Sequence, residues 1–415
     1  MSSESSQKVS LETFFQDLSL DDVSVIQDHL HACVDQFSPL AFPPDFGFDG
    51  FSLSDLEQFI VTDTQFQLSM NKVTGKGILY GVEHVRVRQA VFNGLPLAVR
   101  LAIMCQKIKR LALWPCLRAY DPGFSEETLQ DVQDIGAVHS VYVFTFSSGK
   151  RVVVKREALP NQVFYTQLLG VLGVPTFMSM HFENAYGGWE VTSYLGERSL
   201  NQTLLNLGEG EGESWVEPLA EQAAIGDCFG RGDRHFDNYM CQDGLLYPVD
   251  ISYLFWPDNL SWVLKYVSSG MAEYAILAVD RLFTTGFDQR RDSFFKAYEA
   301  MTMRIFEHRD AINDLIRSFY TEKGNQVSEK VAYFKTYEAQ FSAQFGAVKA
   351  SYDQALDQYR EKLPYKTRLE KLFQENKLEG YPSLKMYAYA HQDRLSAFFL
   401  GDCDRLFPKI SGLSG

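Results

Sequence analysis

The alternation of apolar and polar positions changes period several times along the chain, and each change marks an element. From residue 138, VHSVYVFTF alternates at strand period, breaks at Ser147-Ser148-Gly149-Lys150 and resumes as RVVVK. That pattern predicts a β-hairpin with Gly149 in its turn. The next segment, NQVFYTQLLGVLGV, sets Val163, Leu168, Leu169 and Leu172 at helical spacing and stops at Gly173, with Pro175 just beyond. A second hairpin is expected in FMSMHFENAYGGWEVTSYL, turning at Gly187-Gly188. Hairpin, helix and hairpin make a small α+β lobe.

The polar loop GEGEGES at 208–214 separates that lobe from a segment dense in charged and small residues, and residues 260–400 then read as largely helical. Within them Tyr337, Phe341, Phe345, Val348, Tyr352, Leu356, Tyr359 and Leu363 recur every three or four positions. The first reading of this stripe is packing onto the chain's own second lobe; the second is a coiled-coil seam of a homodimer along 337–363. Residues 1–115 also read as mainly helical, with a capping-box pattern at Ser54 and Glu57 and a loop at Pro39, Pro43 and Pro44. The glycines of GKGILYGVEHVRVR lack the order of a phosphate loop, so that stretch reads as a turn between short strands. Four regions result: a helical N-terminal region at 1–115, a nucleotide-binding lobe at 116–198, a catalytic and metal-binding lobe at 199–300, and a helical C-terminal extension at 301–415.

Charge removes some classes of function. Against 39 Lys and Arg stand 53 Asp and Glu, a formal charge of −14. Such a chain repels nucleic acid and anionic lipid overall. The 46% hydrophobic content is too high for a disordered protein. No apolar run reaches membrane-spanning length, and MSSESSQKVSLETFFQDLSLDD lacks the basic and apolar regions of a secretory leader. The six cysteines form no C-x-x-C pair and no zinc-spaced cluster. The expected setting is the cytoplasm, or a host cytosol reached without a cleaved signal peptide.

The chemistry concentrates in Gly232-Asp233-Arg234-His235-Phe236-Asp237-Asn238, followed by Asp250 at the end of LLYPVD. Phosphoryl transfer requires a carboxylate near the acceptor hydroxyl, an amide oxygen and a second carboxylate for Mg²⁺, and a cation on the phosphates. Asp233 and Asn238 stand at D-x-x-x-x-N spacing, and a hairpin from Cys241 to Val249 would return Asp250 to the same place. Upstream, Lys155 ends an apolar strand, a costly position for an ammonium unless it faces an anion.

GDRHFDNYMCQDGLLYPVDISYLF resembles the catalytic and metal-binding segment of the atypical kinase superfamily that includes phosphoinositide 3/4-kinases and the actin-fragmin kinase. It is more similar still to the kinase-like dehydratase domain of class II lanthipeptide synthetases, and VYVFTFSSGKRVVVKREAL is similar to the nucleotide-lobe hairpin of that domain. The resemblance, over about residues 130–260, implies a two-lobed α+β kinase-like fold using ATP and Mg²⁺. It implies Lys155 on phosphate, Asp233 as base or hydroxyl-orienting carboxylate, His235 supporting the loop, and Asn238 and Asp250 on the metal. Tyr194, at the hinge Tyr194-Leu195-Gly196, would receive adenine.

There are departures too. The dehydratase's D-x-H-x-x-G-R segment is replaced by Asp134-Ile135-Gly136-Ala137-Val138-His139-Ser140, which leaves Gly136, His139 and Ser140 as nucleotide-side candidates without the elimination arginine. The helix position that usually carries an acidic partner for the lysine is Gln162; either Glu157 substitutes or the pairing is weak. The acceptor is a protein or small-molecule hydroxyl, with protein Ser/Thr preferred over lipid because ISYLFWPDNLSWVL holds no basic residue. A pseudokinase scaffold, adenylyl transfer, and phosphorylation followed by elimination are the alternatives.

Overall fold

The computed structural model describes residues 92–374, apart from 137–140, 197, 233, 235, 252–253, 256–271 and 321–325. The expected capping box at Ser54 and the turn at 75–88 lie outside the described residues, as do Asp233, His235, His139 and Ser140. What is described mixes helices with antiparallel sheet and divides into two units, Met1–Ala158 with Met180–Tyr194, and Leu159–Ser179 with Leu195–Gly415.

The first unit begins with helices α1 (Leu97–Arg110) and α2 (Trp114–Tyr120). Strands β1 (Leu129–Asp134), β2 (Val141–Phe146), β3 (Arg151–Arg156), β4 (Ser179–Asn184) and β5 (Gly187–Ser193) then form one sheet in the order β1-β2-β3-β5-β4. The expected first hairpin is β2–β3, with Gly149 at φ 78° in its turn. That backbone region is open to glycine without a Cβ penalty. One face of the sheet buries Val132, Phe144, Phe146, Val152, Val154 and Val191 against Val99, Ile103 and Ile108 of α1. Each such side chain contributes about 1.5–3 kcal/mol. Phe124 stacks on Phe146 at 3.7 Å between ring centroids.

The second hairpin turns earlier than its glycines suggested. The tip is Ala185-Tyr186, where the Asn184 side-chain oxygen accepts from Tyr186 N–H at 2.9 Å, and Gly187 and Gly188 instead begin β5. An asparagine that folds its own side chain into the turn outcompetes the more permissive glycines for the tip.

The second unit is built on α5 (Glu213–Cys228), whose apolar residues are buried around much of its circumference. Packed with it in one core are α3 (Asn161–Val171), α4 (Leu200–Asn206), α7 (Phe287–Glu307), α8 (Arg309–Phe319) and α9 (Gln326–Gln374). A short hairpin, β6 (Tyr239–Gln242) with β7 (Leu245–Pro248), follows α5, and a single turn, α6 (Ala272–Ala275), precedes α7. Asp243 and Gly244, at φ 53° and 75°, form the two-residue hairpin turn that the D-G pair favours. On α9, Tyr337, Phe341, Val348, Tyr352 and Leu356 are all buried in this core, so this part of the stripe packs onto its own unit. The side chains of Tyr359 and Leu363 lie outside the described residues. Cys105, Cys116 and Cys228 are buried and Cys241 is half-buried, all four as free thiols. Burial pushes the Cys105 and Cys241 thiols up to about 11, far from the reactive range.

Candidate active site

In the first unit, β3 sets Val152 and Val154 into the core, while Lys155 lies directly across from Glu190 on β5 and Val141 on β2. The Lys155 Nζ is 3.6 Å from Glu157 Oε2 and 3.8 Å from Glu190 Oε2. The buried strand-end lysine thus faces anions of its own unit. Glu157, offered above as the substitute acid, is beside it; Glu190, only 1% exposed, was not foreseen. The backbone of Glu157 is pinned twice, its N–H donating to Gly188 O at 3.0 Å and its carbonyl 3.0 Å from His181 Nε2. A Cβ on Gly188 would lie 2.2 Å from that carbonyl oxygen, so only glycine admits this approach.

At the end of β1, Asn93 brackets Asp134 by accepting from its N–H and donating to its carbonyl, both at 2.9 Å. Asp134 Oδ1 in turn accepts from Gly136 N–H at 3.0 Å. Gly136 is therefore held at the start of the β1–β2 loop whose remaining candidates, His139 and Ser140, lie outside the described residues. The Tyr194 ring carries the Arg151 guanidinium at 3.9 Å, and its N–H donates to Arg151 O at 3.2 Å. The chain passes into the second unit directly after it, and Gly196 follows at φ 98°.

In the second unit, α5 ends with Gly230 at φ 57°, where Arg231 N–H reaches back to Gly226 O at 2.7 Å. This six-to-one closure is the glycine-dependent helix stop. It leads into a loop held by buried charge. Arg234 Nη1 donates to Asp227 Oδ1 at 2.7 Å, and Arg234 Nε lies 3.7 Å from Glu273 Oε1. Asp227 Oδ2 accepts from Tyr298 at 2.7 Å and from Tyr352 at 2.8 Å. Tyr239 donates to Glu273, and Arg231 donates to Tyr239 Oη at 2.9 Å and to Asn238 O at 3.4 Å. Two arginines balance two carboxylates, which makes this burial tolerable. Burial would pull Arg234 down, but Asp227 and Glu273 outweigh it and hold the guanidinium well above its ordinary value. Burial also drives Tyr298, Tyr352 and Tyr239 well up, so all three stay protonated donors.

The loop delivers Asn238, which is buried, to the head of the β6–β7 hairpin. Val249 N–H donates to Asn238 O at 2.9 Å, so Asn238 and the residue after Val249, Asp250, stand at the open end of that hairpin. Asp250 is exposed and adopts φ 57°. Gln162, from α3, donates to Pro248 O at 3.2 Å and accepts from Ile251 N–H at 3.1 Å, and so grips the chain on both sides of Asp250. Among the described residues no three His, Cys, Asp or Glu side chains gather to hold a metal alone. One amide oxygen and one carboxylate fit Mg²⁺ when it arrives with phosphate oxygens and water completing its shell.

The residues missed at the sequence level are Glu190, Asp227, Glu273 and Tyr298, while Gly188 and Tyr352 were read only as a turn glycine and a packing residue. One signal was present: Asp227 is a lone acid in the apolar stretch AAIGDCFG, a position that requires a buried cation nearby.

No protein-family model matches the chain, and no curated protein does. A solved structure similar to it is the crystal structure of a Helicobacter pylori proinflammatory kinase, CtkA, at 12% identity and a TM-score of 0.32, covering 52% of this chain and 94% of that one. Likeness at that level carries no argument about this chain, whose chemistry is read from its own side chains. Among the described residues no helix is long and apolar enough to cross a membrane.

Proposed function

We propose that this chain is a Mg-ATP-dependent phosphotransferase of the two-lobed atypical kinase type, acting on a hydroxyl acceptor, with protein Ser/Thr preferred over lipid. The observation that carries the reading is the joint placement of Asn238 and Asp250 at the mouth of one hairpin, behind a loop whose Arg234 is held by buried Asp227 and Glu273. Bound Mg-ATP supplies the transferable phosphoryl group and the cation that neutralises its charge. Asn238 and Asp250 hold the metal through side-chain oxygens, and Lys155 contributes positive charge toward the phosphates. Asp233 would orient the acceptor hydroxyl and take its proton as its oxygen bonds the γ-phosphorus and the bond from that phosphorus to the β,γ-bridging oxygen breaks to release ADP, while His235 supports the loop. The chemistry is mostly positioning and electrostatics, which suits residues set by rigid hydrogen bonds.

A second reading has its own observation. Lys155 already has two carboxylates within 4 Å, and Gln162 is committed to backbone at 248 and 251. A nucleotide-binding scaffold without turnover would carry the same features. Labelled ATP separates the readings: γ-label on an acceptor supports the kinase, α-label supports adenylyl transfer, and no label with retained Mg-ATP binding supports the scaffold. Asp233→Asn should keep Mg-ATP affinity within a few fold and lose transfer by roughly two orders of magnitude. Full activity in that variant refutes the assignment.

A further inference from the structure

We infer that Tyr352, on the long C-terminal helix α9, is a positioning residue for the loop that carries Asn238. The inference rests on the function proposed above but has a readout independent of it. The Tyr352 hydroxyl completes a triangle: it donates to Asp227 Oδ2 at 2.8 Å and accepts from Arg234 Nη2 at 3.3 Å, while Arg234 Nη1 donates to Asp227 Oδ1 at 2.7 Å. All three side chains are buried. From Arg234 the links run to Glu273, Tyr239 and Arg231, and end on the carbonyl of Asn238. Through this hydroxyl α9, 118 residues away in sequence, hydrogen-bonds the Arg234 side chain.

The triangle has a geometric reason for its tightness. Arg234 lies along Gly226 of α5, where a Cβ would come within 2.5 Å of Nη1, so the guanidinium is confined on that side by bare backbone. Its opposite nitrogen, Nη2, has Tyr352 as a polar neighbour. Removing the hydroxyl leaves Arg234 held at Nη1 by Asp227 and the Ala223 carbonyl and at Nε by Glu273, but takes the tyrosine partner from Nη2 and one of two phenol donors from Asp227 Oδ2, which loosens the guanidinium at its α9 side. The loop would then sample orientations that misplace Asn238 without unfolding the core.

The same helix reaches the segment after Asp250 through a second set of contacts. Lys330 sits 4.8 Å over the Phe255 ring, Tyr333 meets that ring edge-on, and Phe255 N–H donates to Phe229 O at 2.8 Å. α9 thus braces the chain on both sides of the β6–β7 hairpin, at Arg234 before it and at Phe255 after it.

The experiment compares full-length Tyr352→Phe with Tyr274→Phe. Tyr274 is an equally buried phenol that also donates to α9, at Asp353 Oδ1 and 2.6 Å, but it makes no hydrogen bond to Arg234. Hydrogen exchange is read on a peptide spanning residues 229–240 and on control peptides from α7 and β2–β3. Expected in Tyr352→Phe is exchange at least ~10-fold faster in the 229–240 peptide alone, and kcat/KM for Mg-ATP down ~10-fold with part of the loss in KM, because the residue displaced is a proposed metal ligand; Tyr274→Phe leaves both unchanged. Unaltered exchange in that peptide, or faster exchange throughout the unit, overturns the inference. A parent that transfers no label defeats the proposed function, and the exchange data alone then decide the role of Tyr352.

Discussion

Gln162 accepts the backbone N–H of Ile251 across 89 residues of sequence, and its amide nitrogen donates to Pro248 on the other side of Asp250. The side chain is 1% exposed, so both bonds are made out of water. The side chain thus acts as a clamp on the backbone either side of Asp250.

Gln162→Glu tests that clamp. A carboxylate can still accept from Ile251 but cannot donate to Pro248, and its charge is buried beside a carbonyl. The expected loss is about 1–3 kcal/mol, read as a melting temperature several degrees lower. If the two bonds were idle, the substitution would leave stability unchanged.

Lys155→Met keeps an apolar stem in the sheet and removes the ammonium within 4 Å of Glu157 and Glu190. Phosphoryl transfer should fall at least ~100-fold through loss of charge at the transition state. Stability should fall as well, because Glu190 is buried and loses a neighbouring cation. Adding Glu190→Gln should recover much of the stability and none of the transfer, which separates the two roles of one lysine. Lys150 is the control. It pairs with Asp121 at the exposed turn, and Lys150→Met should change stability by less than about 1 kcal/mol.

A pH dependence is built into the start of α5. Glu213 accepts from the backbone N–H groups of Thr284 and Thr285, at 3.0 and 3.1 Å, and from both threonine hydroxyls. Burial acts to raise its pKa, but the threonine amides and hydroxyls outweigh it and hold the carboxyl below its ordinary 4.5. A depressed folded-state pKa contributes stability that is present above the unfolded value and is lost as pH falls through the folded one. Melting temperature should therefore drop below pH 4.5 by more in the parent than in Glu213→Gln, and identical acid profiles would remove Glu213 from the account.

Legibility from sequence followed the range of the forces involved. The hairpin at Val141–Arg156 and the helix at Asn161–Val171 were readable because period, turn glycine and stop signals are local. The β6–β7 hairpin that joins the segments carrying Asn238 and Asp250 was readable for the same reason, since its D-G turn and flanking apolar positions are local. Glu190 was not, because it meets Lys155 through strand register between β3 and β5, which are separated by a helix and another strand. The carboxylates that balance Arg231 and Arg234 come from α5 and from Glu273, and only tertiary packing assigns them. The turn at Ala185-Tyr186 was misplaced because Asn184 competes locally with glycine, a contest that side-chain hydrogen bonding decides.

Asp250 separates chemistry from folding. Its φ of 57° lies in the left-handed region, where a Cβ costs roughly 1–2 kcal/mol and glycine costs nothing, and the residue is exposed. A residue kept there for backbone reasons alone would be served better by glycine. Asp250→Gly should thus relieve strain, partly offset by the greater unfolded-chain entropy of glycine, and leave the melting temperature unchanged or slightly higher. The same change removes the carboxylate proposed for Mg²⁺. Mg-dependent ATP affinity should then fall by at least ~10-fold, and phosphoryl transfer should be lost, since a missing ligand leaves phosphate charge uncompensated. Calorimetric titration with Mg-ATP and a thermal melt on one preparation read both effects. Retained affinity in a well-folded Asp250→Gly protein would take the metal away from this hairpin, whereas lost affinity with undiminished stability would mean that the strained backbone is maintained for the carboxylate it presents.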